Sequence, residues 1–154
     1  MAPNNEISVT TTASQIKTHG EPALAPSRAK PALATGGVRV LLRLEGLAAF
    51  GAALALYWHG GFSWPVFALL FLAPDLSMLA YLAGPRTGAI GYNLAHTYVA
   101  ALPLVLVAFV GGMPAATAGG LMWIGHIGLD RALGYGLKYS TGFGDTHLGH
   151  VGRR

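Results

Sequence analysis

The sequence predicts an all-α membrane protein, a four-helix transmembrane bundle with short loops, on three observations. Hydrophobic residues make up 53% of the chain and charged residues 10%, whereas a soluble globular domain carries about 25% charged residues. Four apolar stretches, at about 38–58, 62–83, 89–111 and 115–137, each come near the roughly 20 residues that a helix needs to cross a bilayer. The joints "HGGF", "GPRTG" and "GGMPA" are short and rich in Gly and Pro, so consecutive helices must be antiparallel neighbours.

Each element can be justified in order. Residues 1–36 are rich in Ala, Pro, Thr and Ser without periodicity, and read as a disordered cytoplasmic tail that cannot bury enough surface to order itself. That stretch lacks a basic start followed by an apolar run and cleavage site, so no secretory signal is expected and the first span is retained. Residues 37–139 form the transmembrane domain. Span 1 opens with Arg39 and Arg43 and carries Glu45. In span 2, Pro74 has no N–H to give to Leu70, which predicts a kink beside Asp75. Span 3 contains "YNLAHTY", placing Tyr92 and His96 on one face and Asn93 just off it. Span 4 ends in "GHIGLDRALGYGLKY", with His126 and Asp130 one turn apart beside Arg131; Gly120, Ile124 and Gly128 form a stripe that suits close helix approach. Tyr57, Trp58 and Trp64 flank the first outer loop as interfacial anchors. His59 and His19 are expected to be solvated. Residues 140–154 form a cytoplasmic segment. Phe143 and Leu148 suit folding back over the bundle mouth, with Asp145 and His147 standing over the polar residues of the spans; the competing reading is a basic tail drawn to anionic headgroups through Lys138, Arg153 and Arg154.

Charge placement sets the orientation. Lys17, Arg28, Lys30, Arg39 and Arg43 precede or open span 1, Arg86 lies between spans 2 and 3, and Arg131, Lys138, Arg153 and Arg154 close or follow span 4. The positive-inside rule puts both termini and the Arg86 loop in the cytoplasm, as in a multi-pass protein of a bacterial inner membrane. Basic residues scattered at span ends account for the net charge of +4 and exclude nucleic acid as a partner. Without cysteine there is no disulfide or thiolate chemistry.

With this orientation Glu45, Asp75, His96 and Asp130 all fall roughly 9–12 Å from the cytoplasmic ends of their helices at 1.5 Å per residue. A charged group in a span costs about 2.5–3.5 kcal/mol, so these four should face the bundle interior and meet. The layer offers His96, His126, Asp75 and Asp130 as ligands for a divalent metal, and Asp75, Asp130 and Glu45 as acid–base groups. Arg43, Asn93, Arg131, Lys138, Asp145 and His147 are the candidates for binding a substrate. The competing structural reading joins Arg43, Glu45, Asp75, Asp130 and Arg131 in salt bridges that fix packing. Haem between His96 and His126 fits less well, because the adjacent carboxylates suit a hard metal or a proton relay.

These features support a small, metal-dependent membrane enzyme acting on a lipidic or amphiphilic small molecule, with membrane lipids as its surroundings. Two alternatives are a proton-coupled carrier or channel subunit and an accessory subunit of a membrane complex. The carrier would require a homo-oligomer at this size, and the outer halves of the spans, such as "VAALPLVLVAFV", hold no ionisable group.

The strings "LLRLEGLAAF", "FLAPDLSMLAYLAGPRTGAIGYNLAHTY" and "HIGLDRALGYGLKYSTGFGDTHLGHVGR" resemble the bacterial four-span membrane proteins grouped as domain-of-unknown-function family 4260, over about residues 39–153. Arg43, Glu45, Pro74, Asp75, Ser77, Asn93, His96, His126, Asp130, Arg131, Tyr135, Lys138 and the Asp145-Thr146-His147 run carry the resemblance. It implies a four-helix membrane protein to which the C-terminal segment belongs. It implies no activity.

The charge argument has a direct check. Reporters fused after Arg154 and in the Arg86 loop should report cytoplasm, and one placed at Gly60 or Gly112 should report the exterior. A C-terminal reporter found outside would overturn the orientation and the depth alignment built on it.

Overall fold

The four apolar stretches fold as four rods of helix in a computed structural model, which describes residues 33–152. The first rod is α1 (Gly36–His59), stopped by the pair Gly60 and Gly61, the latter at φ +66°. The second is split into α2 (Trp64–Leu70) and a 3-10 helix (Ala73–Ala83). The third is split into α3 (Pro85–Ala95) and α4 (Tyr98–Val110). The fourth is α5 (Pro114–Leu133). A short antiparallel hairpin follows, β1 (Asp145–Thr146) with β2 (Gly149–His150). The expected N-terminal tail lies outside the described residues apart from residues 33–36, and so do Arg153 and Arg154.

Two of the expected continuous spans are therefore broken. In the second rod the break falls just before Pro74, as the missing N–H of that residue predicts, and helix resumes with the tighter 3-10 bond from Asp75 N–H to the Leu72 carbonyl at 3.1 Å. The break in the third rod has no Pro or Gly to announce it. There α3 ends at His96 and Thr97 is extended, with φ −113° and ψ 139°. The fourth rod stops at Leu133, not at 137, because Gly134 takes the left-handed conformation at φ +100° and Tyr135 N–H returns to the Asp130 carbonyl at 2.7 Å.

Three rods are long and apolar enough to cross a membrane: Gly36–His59, Trp64–Ala83 and Pro85–Val110. Helix α5 is not among them, since His126, Asp130, Arg131 and its glycines dilute its apolar residues. It compensates by position. α5 is the most buried helix, packed against α1 and α4, while α3 packs against the 3-10 helix. The outer rods show the opposite pattern, with Leu69, Leu82 and Val99 79%, 88% and 81% exposed. Apolar side chains outward and polar ones inward is the arrangement that lipid, not water, makes favourable.

The α1–α5 contact is made backbone to backbone. A methyl group on Gly128 would stand 2.7 Å from the Phe50 nitrogen and 2.8 Å from the Gly46 carbonyl oxygen, and one on Gly46 would stand 2.8 Å from the Gly128 carbonyl oxygen. The expected stripe on α5 divides its work: Gly120 meets Val105 of α4, whereas Gly128 meets α1. Tyr57 departs from its expected interfacial place. Its ring is buried among Phe62, Trp64 and Phe67, and its hydroxyl donates to the Ser63 carbonyl at 2.8 Å, because α2 folds back across it. Trp58 stays exposed as expected.

Because rigid backbone fills the space, Gly46→Ala and Gly128→Ala should each lower stability by about 1–3 kcal/mol. Gly51→Ala, on the same α1 helix with open space around it, should be neutral or slightly stabilising. Thermal unfolding in detergent checks this; equal effects at positions 51 and 128 would remove the close contact.

Candidate metal centre

Asp75, His96, His126 and Asp130 come together, each offering a ligand atom within 4.8 Å of the others. The two breaks and the packing of α5 produce this convergence. Asp75 opens the 3-10 helix, His96 closes α3, and His126 and Asp130 stand one turn apart on α5. Both imidazoles are buried, whereas the Asp75 and Asp130 side chains keep 31% and 18% of their surface, so the centre is closed on the imidazole side and opens past the carboxylates.

Proton bookkeeping decides what the cluster can hold. His96 Nδ1 lies 2.9 Å from the Tyr92 carbonyl oxygen. A carbonyl only accepts, so Nδ1 carries the proton and a neutral His96 presents a lone pair at Nε2. That Nε2 is 3.1 Å from His126 Nε2, 3.3 Å from Asp75 Oδ1 and 3.6 Å from Asp130 Oδ2. His126 Nε2 is in turn 3.5 Å from Asp75 Oδ1 and 3.9 Å from Asp130 Oδ2. One shared proton satisfies one of these approaches, whereas a cation at the middle satisfies all of them. Ligand atoms held about 2.0–2.1 Å from a tetrahedral metal lie roughly 3.3–3.4 Å apart, and the contacts of the two imidazole nitrogens, at 3.1–3.9 Å, bracket that spacing. Two neutral imidazoles and two carboxylates also neutralise a divalent ion.

The surrounding groups orient these ligands. The Tyr92 hydroxyl donates to Asp130 Oδ2 at 3.0 Å, and its ring stacks on His96 with centroids 3.7 Å apart. Phe71 meets the His126 ring edge-on at 5.3 Å. Helix α5 also secures the break that ends in His96. Trp123 Nε1 donates to the Ala95 carbonyl at 2.6 Å, and an Arg131 terminal nitrogen donates to the His96 carbonyl at 2.9 Å.

The remaining expected site residues do other work. Glu45 is exposed on α1 and stays outside the cluster: Gly46 is the position that touches α5, and one residue is a turn of about 100°. Arg43 Nε donates to the Ala132 carbonyl at 2.7 Å, and Arg131 to the His96 and Tyr135 carbonyls, so the arginines bind backbone and do not form the salt bridges of the structural reading. Asn93 clasps the C-terminal segment. Its Nδ2 donates to the Lys138 carbonyl at 2.9 Å and its Oδ1 accepts from Lys138 N–H at 2.7 Å.

The C-terminal segment folds back as Leu148 suggests, with that side chain buried, while Phe143 stays half exposed against Tyr81. Asp145 and His147 are engaged with groups of the segment itself. Asp145 accepts from Thr141 at 2.8 Å and pairs with His150 at 2.9 Å, and His147 Nδ1 accepts from Leu137 N–H at 2.8 Å. The segment's nearest approach is Lys138. Its buried ammonium lies 4.6 Å above the Tyr92 ring and 3.5 Å from the Phe143 centroid, and donates to the Phe143 carbonyl at 2.9 Å. Burial lowers the Lys138 pKa from its ordinary value, and the Asp130 and Asp75 charges draw it back up.

With the geometry in place, the chain can be compared with known proteins. A family described as a domain of unknown function (DUF4260) matches residues 39–151. The chain belongs to this family. No curated protein and no solved structure matches it. The DUF4260 match spans every ligand of the cluster and the clasped C-terminal segment.

Sequence reasoning missed Tyr92 and Trp123 as parts of the site. Tyr92 was legible as the i−4 neighbour of His96 but reads equally well as an interfacial tyrosine. Trp123 carries no signal, because the carbonyl it binds is free only where α3 breaks.

His147 yields a pH prediction. Burial, and then the charge of Arg131, lower its pKa from the ordinary value. Above about pH 6.5 the ring is neutral whether the segment is docked or not. As pH falls below that, the undocked segment binds a proton that the docked one resists, and protonated Nδ1 can no longer accept from Leu137, so docking weakens. Amide protection over residues 137–150, corrected for intrinsic exchange, should fall between pH 7.5 and 5.5, and His147→Asn should flatten the difference. Unchanged protection in the parent would sink this assignment.

Proposed function

We propose that this DUF4260 protein is a four-span membrane metalloprotein, with both termini cytoplasmic, whose Asp75–His96–His126–Asp130 centre acts on a lipidic or amphiphilic small molecule. The observation that carries the proposal is the lone pair of His96 Nε2. It is fixed by the Nδ1–Tyr92 carbonyl contact and directed at a second imidazole nitrogen and two carboxylates. A divalent metal in such a centre polarises a bound oxygen or lowers the pKa of a bound water. The residues of the chain divide the remaining work. Tyr92 holds Asp130 in place, Arg131 and Trp123 hold the backbone that carries His96, and Lys138 keeps a positive charge beside the carboxylates.

The partial exposure of Asp75 supports an enzyme over a purely structural metal site. A structural site encloses its metal with four fixed ligands, whereas here the carboxylate side stays open, so substrate can reach the metal by displacing Asp75 or as a fifth ligand beside it. The 3-10 helix that carries Asp75 also presents Leu76, Leu79 and Leu82 outward, so the open side of the centre borders the surface that lipid would cover, and an amphiphile could arrive from the membrane.

Metal retention tests the reading. Protein purified after growth with added Zn²⁺, Mn²⁺ or Fe²⁺ should hold close to one divalent ion per chain by elemental analysis. His126→Ala and Asp130→Asn should still insert and purify as compact protein, but retain at least about tenfold less metal, whereas His59→Ala should match the parent. Mass spectrometry of lipid extracts should then find a species that changes only when the intact centre is expressed. A parent that holds no metal under any of these conditions overturns the centre; a metal-loaded parent with an unchanged lipid extract overturns the substrate class.

A further inference from the structure

A cavity of about 270 Å³ lies where α1, the end of α5 and the C-terminal hairpin meet. We propose that it binds the phosphate group of an anionic phospholipid. Arg39 and Arg43 stand one turn apart on α1 and line one wall, and Leu133, Tyr135, Gly149 and His150 line the others. Among the described residues neither guanidinium has a carboxylate within ion-pair distance, and Glu45, Asp75, Asp130 and Asp145 all lie outside the lining of the cavity.

The chain builds this cavity in three ways. Arg43 is anchored by its Nε on the Ala132 carbonyl, which fixes the guanidinium and, among the described residues, leaves both terminal nitrogens for a ligand. Arg39 lies against the hairpin backbone. A methyl group on Gly149 would stand 3.1 Å from an Arg39 terminal nitrogen, so the guanidinium lies close against the hairpin turn, where φ +132° itself favours glycine. His150 is held by Asp145 at 2.9 Å, which keeps its ring at the rim. A planar guanidinium with free N–H groups matches phosphate oxygens two at a time.

Lipid, not free phosphate, is the source favoured by what surrounds the cavity. Arg39 and Arg43 alternate along α1 with exposed Val38, Val40, Leu41 and Leu44. Acyl chains can lie along that apolar surface while the headgroup meets the arginines. Both arginines fall in the first two turns of α1, roughly 4–11 Å from its start at 1.5 Å per residue, which is headgroup depth for a helix that begins at the membrane surface. The cavity is smaller than the roughly 300–1,000 Å³ of pockets that enclose drug-sized ligands, as suits a headgroup alone.

The test uses the purified full chain in neutral detergent. Native mass spectrometry with equal phosphatidylglycerol and phosphatidylcholine should show phosphatidylglycerol enriched about 25-fold, taking about fivefold for each arginine near an anionic headgroup. Arg39→Gln should cut that enrichment about fivefold while metal content stays at the parent level, which separates this site from the metal centre. Thermal unfolding of the parent provides a measurement independent of the variant: phosphatidylglycerol should raise the midpoint, and phosphatidylcholine or inorganic phosphate should not. Equal binding of the two lipids by the parent, or an unchanged preference in Arg39→Gln, overturns the site. A full midpoint shift with inorganic phosphate alone overturns the assignment to lipid.

Discussion

An unpaired backbone carbonyl inside an apolar bundle costs several kcal/mol, and the break between α3 and α4 takes from the last turn of α3 the donors that a continuing helix would supply. Trp123 and Arg131, both on α5, take the carbonyls of Ala95 and His96. The rest of the structure follows from that repair. It ties α5 to the third rod, so the buried helix is held by directional bonds and not by shape alone. It also permits α3 to stop at His96, which turns the imidazole into the interior instead of along a continuing helix face. The arginine that a salt-bridge network would pair with a carboxylate is thereby committed to backbone, and Asp130 is left for Tyr92 and the imidazoles.

The same economy of contacts places α5 at the centre. Gly46 and Gly128 let α1 and α5 approach to backbone contact, and such proximity brings the inward groups of α5 within reach of the other rods. Small residues serve this purpose in membranes because lipid gives helices no hydrophobic reason to associate, so packing and hydrogen bonds must do it. The glycines that weaken α5 as a stretch of apolar sequence are what make it the core of the bundle. His126 and Asp130 then face partners from the second and third rods at spacings close to those of metal ligands.

The C-terminal segment completes the protein by closing it. Asn93 treats the backbone of Lys138 as a strand partner, Ala34 N–H reaches the His147 carbonyl at 2.8 Å, and the hairpin is pinned by the Thr146 hydroxyl on the Gly149 carbonyl at 2.7 Å. These contacts bury Lys138 above Tyr92, one side chain away from Asp130. A cation there offsets the two carboxylates from outside while imidazoles face them from within. The segment also walls the arginine cavity at the start of α1, so one fold-back borders both the interior cluster and that cavity.

Four rods and the joints between them were legible in the sequence, because an apolar run of about 20 residues and a Gly or Pro at each joint are local properties of the chain, whereas the breaks inside the second and third rods and the early end of the fourth at Leu133 depend on more than the apolar count. The four residues of the cluster were legible as candidates too: counting residues from the charged ends places Asp75, His96 and Asp130 at one depth, and the i, i+4 relation adds His126. Depth along a helix survives any rotation of that helix, whereas which face turns inward does not. Only the packing could therefore separate Glu45, which faces outward beside the contact residue Gly46, from Asp75, which faces in. Likewise only the tertiary structure could show that Arg43 and Arg131 bind carbonyls, that Asn93 is a clasp and that Tyr92 belongs to the centre. Each of those roles exists because of a helix end or a break, and in the third rod the break arises from contacts with α5, more than twenty residues away in the chain.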